Sequence, residues 1–370
     1  MKILQVNKLY HPWIGGVEKV VQNVAEGLKD RADVSVLVCQ PKGRAGRDIV
    51  NGVRVARAAS LGIFLSMPVS LGFPFLLNKL GKHADVLHFH MPFPLGVISY
   101  FLARPKGKVV LWWHSDIVRQ KKIMLFYKPL LRRFLKRADR IIVAAPQHIE
   151  SSAHLRDFED KCEVVPFGID TRGLELSDDV QQQVERIRAE HGPNIVLFVG
   201  RLIYYKGAEH LIRAMKDVDG KLLVVGEGPL ESQLQSLAAE LGVEDKVAFL
   251  GRIPDPDMPA YYHCCDVFVL PSIAPSEAFG IVQLEAMACG KPVINTDLPT
   301  SVPWVSRDGE TGITVPVADP AALSGAINKL LNDPNLRHEY GANARTRVQE
   351  HFSLCRMIDD VYRVYEKVLA

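Results

Sequence analysis

The feature that most constrains this chain is an alternation that runs twice. Short apolar runs of strand length, "KILQVN", "DVSVLVC", "DVLHFH", "KVVLWWH" and "DRIIVAA", are separated by helical patterns such as Val17 to Lys29. The pattern restarts at "NIVLFVG" and continues through "KLLVVGEG", "KVAFLG", "DVFVLP" and "KPVINT". Runs that are apolar on both faces suit buried parallel strands, and parallel strands need crossover helices. Each half therefore predicts a doubly wound α/β domain. A chain of 370 residues also exceeds what one hydrophobic core usually serves, which agrees with two domains.

The stretch "VVPFGIDTRG" carries a proline and two glycines between the halves, which puts the hinge near Pro166 to Thr171. The tail from Phe352 to Ala370 reads as one amphipathic helix with no strand of its own. In open α/β sheets ligands bind at the carboxyl ends of strands, so function should concentrate just after the strand runs, across a cleft between the domains. "YHPWIGGVE", "HSD", "GRLIYYKG" and "SEAFGIVQLEAMACG" each follow one.

"GRLIYYKG" delivers Arg201 and Lys206 at a strand end, with Gly200 and Gly207 permitting close approach. Two cations there suit a diphosphate, although a solvated basic turn has the same spacing. In "SEAFGIVQLEAMACG" a helix should begin near Phe279 or Gly280, so the amides of Gly280, Ile281 and Val282 are donors at a positive helix end. A carboxylate beside them would compete with a phosphate, so Glu277 should face a hydroxyl-rich sugar ring and Glu285 a second polyol such as a ribose. Two carboxylates would then each hold a diol, one on either side of a diphosphate.

"EAFGIVQLE" resembles the E-x7-E motif of the retaining glycosyltransferase family 4, and "GGVE", "HSD", "GRLIYYKG", "GEGP" and "EAMACGKPVI" stand in that family's order. The resemblance covers nearly the whole chain. It implies the GT-B fold: two Rossmann-like doubly wound domains facing across a cleft, residues 1–168 plus 353–370 on the acceptor side and residues 169–352 on the nucleotide-sugar side. It further implies that Arg201 and Lys206 neutralise the departing diphosphate, that Glu277 holds the donor sugar and Glu285 the ribose, and that amides near Gly15, Gly16, Ile281 and Val282 complete the phosphate cradle. The backbone of "GRIP", from Arg252 through Ile253 to Pro254, would meet the base, with Glu227 an alternative in the same pocket. His114 matches a family histidine beside the transferred sugar, whereas a lone histidine at a strand end is more often a satisfied core edge. Asp116 has no assigned role. Retention in this family is thought to proceed by front-side attack, the leaving phosphate drawing the acceptor's proton, so stabilisation of the leaving group carries much of the catalysis.

Two metal-like patterns are set aside. Asp255 and Asp257 in "DPD" have the D-x-D spacing of a different glycosyltransferase fold but lie between prolines and read as a turn. His88 and His90 share one face of a strand without an adjacent third ligand, and His90 is expected to line the cleft. No metal and no cofactor beyond the nucleotide-sugar donor, GDP-mannose or a UDP-sugar, is expected. "HSDIVRQK" and "TSVPWVSRDGETGITVP" resemble bacterial mannosyltransferases that build surface polysaccharides.

The acceptor side carries a basic cluster. From Arg104 to Arg140 there are twelve Lys and Arg against Asp116 and Asp139. Apolar residues interleave with them, so Lys121 to Arg140 reads as an amphipathic basic helix, suited either to an anionic membrane surface or to packing with a solvated face. A lipid-linked saccharide acceptor would fit the first. The overall charge of +3 argues against nucleic-acid coating. Six cysteines without C-x-x-C spacing, and the lack of a leader-like start, suggest a reduced cytoplasmic setting, peripheral on the inner face of the cell membrane if the basic helix docks there. Competing readings are a nucleotide-sugar epimerase or a non-catalytic sugar-nucleotide-binding protein of the same fold. A dinucleotide oxidoreductase is disfavoured because no G-x-G-x-x-G follows "KILQVN".

Overall fold

The computed structural model describes residues 1–13, 15–64, 67–116 and 121–370, with side chains from residue 127 onward in the last segment. The chain divides into two compact units, Met1–Phe167 with Leu354–Ala370, and Gly168–Ser353. Each has its own sheet.

The first unit has strands β1 (Lys2–Val6), β2 (Asp33–Cys39), β3 (Gly46–Val50), β4 (Val53–Ala58), a short ribbon β5 (Ile63–Phe64) with β6 (Met67–Pro68), then β7 (Val86–Met91), β8 (Lys108–Trp113), β9 (Arg140–Val143) and β10 (Cys162–Val164). The main sheet has the order β10-β9-β8-β7-β1-β2-β4-β3, parallel except for the β3 edge. The winding direction reverses between β1 and β7, which creates a crevice at their carboxyl ends.

Strand alternation sorts the two faces. Leu4, Val6, Leu87, Phe89, Leu111 and Trp113 enter one apolar core. Gln5, His88, His90 and Trp112 occupy the intervening positions and are fully or almost fully buried on the other face. That second face is covered partly by the terminal helix Leu354–Leu369, which buries Met357, Ile358, Val361, Val364, Tyr365 and Val368 along one stripe. Burial of each such side chain contributes roughly 1.5–3 kcal/mol. The helix crosses Gly16–Leu28 at Gly27, where an added Cβ would lie 2.1 Å from Ile358 Cδ1. A larger residue at position 27 would push the two helices apart.

The second unit contains β11 (Ile195–Val199), β12 (Lys221–Val225), β13 (Val247–Gly251), β14 (Val267–Leu270), β15 (Val293–Thr296) and β16 (Gly312–Val315). Its all-parallel order, β13-β12-β11-β14-β15-β16, is the Rossmann arrangement, with the reversal between β11 and β14. Side-chain caps start its longer helices: Ser177 accepts from Val180 N, Asp319 from Ala322 N and Asp333 from Leu336 N. The "DPD" stretch is an exposed turn before the helix Met258–Cys264.

Candidate active site

The reversal point of the second unit gathers several predicted residues. Lys206 lies in a short 3-10 turn after β11, and Glu277 in the loop after β14. Their side chains meet, Lys206 Nζ 2.5 Å from Glu277 Oε2, and each is only about a tenth exposed. Ser272 donates its hydroxyl to the same carboxylate oxygen at 3.0 Å. Gly207 makes the meeting possible: its φ of +67° is left-handed, and a Cβ there would stand 2.0 Å from the carbonyl oxygen of Pro271. The amide of Ile273 also donates to Tyr205 O at 2.8 Å. Two loops from neighbouring strands are thereby held as one surface.

Arg201, two residues beyond the end of β11, is exposed. The β11 and β12 loops are laced together, Gly200 N donating to Val225 O and Leu202 N to Glu227 O. Glu227 itself is exposed. The GRIP loop follows β13, with Arg252 exposed and Ile253 half-buried, and Ile253 and Pro254 line a shallow cavity with Gln183, Arg186, Asp257 and Tyr261.

The helix after the glutamate motif spans Ile281–Ala288, capped by Gly280 at φ +72°. Its start is one to two residues later than the expected Phe279 or Gly280, because a left-handed residue cannot continue a right-handed helix. The amides of Ile281 and Val282 belong to the first turn, which has no intrahelical acceptor. Glu285 is half-buried and accepts a hydrogen bond from the buried Tyr262 hydroxyl. Burial, together with the Glu285 carboxylate, keeps that phenol protonated well above its ordinary range. Glu285 thus has a structural partner in addition to any ligand.

Polar residues that sequence reasoning missed hold this helix. Gln283 is fully buried and donates to Phe279 O at 2.8 Å, while Asn295 donates to Ser306 O at 3.0 Å and accepts from the Thr314 hydroxyl at 2.7 Å. Nothing local marks Gln283 or Asn295 as buried, since only packing against the 301–306 segment decides it.

In the first unit, Gly15 and Gly16 open the helix Gly16–Leu28. The carboxylate of buried Glu18 folds back so that its Oε2 lies 2.3 Å from where a Gly15 Cβ would be. A carboxylate already complements this helix end. His114 follows β8 and is 5% exposed. Its Nε2 lies 2.9 Å from His90 Nδ1, and His90 Nε2 lies 2.9 Å from Gln5 Oε1. His88 Nδ1 lies 2.5 Å from the Tyr365 hydroxyl. Burial lowers all three imidazoles, His88 to about 3 and His90 and His114 well below 6.5, so they are neutral. The pair His88 and His90 is therefore an internal hydrogen-bonding and stacking element, and no group of three metal-ligating side chains occurs among the described residues. Asp116 accepts from Trp113 Nε1 at 2.9 Å and from the Ser152 hydroxyl at 2.8 Å. The predicted basic segment forms the helix Lys121–Arg137; Arg119 and the side chains of residues 121–126 lie outside the described residues.

Two parallel doubly wound units, each with polar residues after its strands at the winding reversal, define the GT-B class of glycosyltransferase. Comparison with known proteins agrees. Residues 14–172 match the model for Glycosyltransferase Family 4 and residues 179–347 that for Glycosyl transferases group 1. The O-antigen chain mannosyltransferase C of Escherichia coli is 33% identical over 374 residues, covering 100% of this chain and 99% of that protein. The D-rhamnosyltransferase WbpZ of Pseudomonas aeruginosa is 34% identical over 361 residues, covering 95% and 92%. Among solved structures, Anabaena Alr3699/HepE in complex with UDP superposes with a TM-score of 0.81 at 20% identity, covering 99% of this chain and 100% of that one. The chain belongs to glycosyltransferase family 4, the group 1 glycosyltransferases, and is a glycosyltransferase.

Proposed function

We propose that the protein is a retaining hexosyltransferase that moves mannose, or a closely related hexose, from a nucleotide sugar to a saccharide acceptor during assembly of a surface polysaccharide or glycolipid. The observation that carries this reading is the Lys206–Glu277 pair, a buried cation and carboxylate at the reversal between β11 and β14. The mannosyl- and D-rhamnosyltransferase relatives support a donor sugar of the manno series, with GDP-mannose favoured over a UDP-sugar.

In this reading the bond from the anomeric carbon to the diphosphate oxygen breaks, and the acceptor oxygen bonds on the same face. The acceptor's proton passes to the leaving phosphate. Arg201, Lys206 and the amides of Gly280, Ile281 and Val282 stabilise the charge that develops there, whereas the Gly15 and Gly16 amides are left to the Glu18 carboxylate that already complements their helix end. Glu277, tied to Lys206 and Ser272, orients the sugar rather than attacking it. Glu285 meets the ribose, Arg252 and Ile253 the base, and His114 the transferred sugar. Cations and amides take the place that a metal holds in other folds.

A thermal-shift panel of nucleotide sugars identifies the donor, because a ligand that binds only the folded state raises the melting temperature. Transfer from that donor to a saccharide acceptor should then retain the anomeric configuration, and should survive chelation followed by gel filtration. Inversion would overturn the mechanism. Release of free sugar without an acceptor would favour the epimerase, and activity restored only by added divalent metal would return Asp255 and Asp257 to consideration.

The acceptor is lipid-linked and the protein works peripherally at the inner face of the membrane, through the Lys121 to Arg140 segment. Support comes from its described side chains: Lys128, Arg132, Arg133, Lys136 and Arg137 are exposed. Neighbouring helices add exposed apolar side chains, Phe75 on Phe73–Gly81 and Ile98 and Leu102 on Pro94–Ala103, and no acidic residue occurs between positions 86 and 115. No helix among the described residues is long and apolar enough to cross a membrane.

A further inference from the structure

His90 lies on the fully buried face of β7, where a packing role would ask for an apolar ring. It has instead a polar partner on each side, Gln5 and His114. The rings of Trp112, His114 and Phe167 are close to parallel, with His114 inclined 9° to Trp112 and 12° to Phe167 at centroid distances of 5.5 Å. Stacking of that kind fixes the plane of an imidazole. It does not fix which edge points inward, because turning the ring over within its plane preserves every stack. A hydrogen bond to one ring nitrogen does discriminate.

The direction of that bond follows from counting protons. His88, His90 and His114 are neutral, so each of these rings carries one N–H and one lone pair. The Gln5 carbonyl can only accept, so the N–H of His90 is on Nε2. The lone pair of His90 is then on Nδ1 and must receive a proton donor. Nε2 of His114 supplies it, which leaves Nδ1 of His114 as the lone-pair nitrogen.

We infer that His90 is a positioning residue that, anchored by Gln5, holds His114 in a single orientation as the Nε2–H tautomer, so that His114 offers substrate a hydrogen-bond acceptor at Nδ1. This rests on the reading that His114 meets the transferred sugar and deepens it: the group recognised there is a hydroxyl, which donates, and His114 neither donates a proton nor carries a charge. It also accounts for a polar ring in the "HFH" strand that metal binding does not require.

Long-range proton–nitrogen correlation spectra of the intact protein report which imidazole nitrogen bears the proton. Wild-type His114 should show a protonated Nε2 and an unprotonated Nδ1. His90→Phe keeps a ring in the stack but removes the acceptor, and should give a mixed or reversed His114 tautomer. Its kcat should fall by roughly ten- to hundredfold, as for outer partners of other functional histidines. His90→Asn places a carbonyl oxygen near the position of Nδ1 and should restore both the tautomer and most of the turnover, although it packs worse. A purely structural role predicts the reverse ranking, Phe above Asn. A wild-type His114 protonated on Nδ1, or an unchanged tautomer in His90→Phe, would overturn the inference even if a variant were unstable. The His114 role is tested separately: normal transfer by His114→Ala would remove the sugar contact while leaving the tautomer measurement standing.

Discussion

At the residue scale the Lys206–Glu277 pair makes the most specific demand. Both groups are about a tenth exposed, so removing one leaves the other charge buried without its partner. Lys206→Ala should therefore lower stability by about 3 kcal/mol as well as cutting turnover on the order of a hundredfold or more. Arg201 is exposed, so Arg201→Ala should cut turnover while leaving the unfolding midpoint almost unchanged. Denaturant unfolding and single-turnover transfer separate the two effects. The double variant Lys206→Met with Glu277→Gln should be more stable than Lys206→Met alone, since no lone charge remains. If the single variant is as stable as the wild type, the pair is solvated and its structural role is gone.

Elements show why glycine stands where it does. At Gly207 a methyl group would meet the Pro271 carbonyl, and the backbone is left-handed. Gly251 is left-handed too, at φ +63°, but nothing lies within 4 Å of its would-be Cβ. Gly251→Ala should cost only the backbone term, on the order of 1 kcal/mol. Gly207→Ala should cost clearly more and should weaken donor binding, because the β11 and β14 loops must part. Comparing the two variants by denaturation and by donor thermal shift checks this. Equal costs would mean that the loops yield easily.

The histidine-bearing strands carry a pH consequence. Burial holds His88 near 3 and His90 and His114 well below 6.5. An unfolded imidazole takes up a proton near 6.5, so below that pH the unfolded chain binds protons that the folded one refuses. The stability they confer is complete above about pH 6.5 and is lost as pH falls toward 3, with a slope of about 1.4 kcal/mol per pH unit for each histidine. The unfolding midpoint, followed from about pH 8 to about pH 4, should drop steeply on the acid side, and His88→Leu should make that drop shallower. A midpoint that stays level down to pH 4 would show that these rings charge in the folded state.

At the scale of the whole molecule the question is where it works. Basic side chains near an anionic surface contribute about 1 kcal/mol each, and salt screens the attraction. Replacing Arg132, Arg133 and Lys136 together by Gln should release the protein from anionic vesicles and impair transfer to a lipid-linked acceptor, while transfer to a short soluble acceptor is largely spared. Arg132 and Arg133 also touch Asp157 and the Phe101 ring, so melting temperature is the necessary control. Vesicle binding insensitive to both lipid charge and salt would mean that the helix only has a solvated face.

Much of this protein was legible before any coordinates. Apolar runs such as "NIVLFVG" and "KVVLWWH", repeated with helical spacers, specify buried parallel strands joined by crossover helices because hydrophobic periodicity is local information. The same is true of the position of the glutamate motif after β14 and of the basic strand end at Arg201 and Lys206, since strand ends follow from strand patterns. What the sequence could not reveal is pairing across strands. That Lys206 meets Glu277, that Tyr262 meets Glu285, that Gln283 and Asn295 are buried, and that His90 stands between Gln5 and His114 all depend on residues far apart in the chain. Periodicity says which face a side chain takes. Only the tertiary structure, which sets strand order and register, decides what stands opposite it.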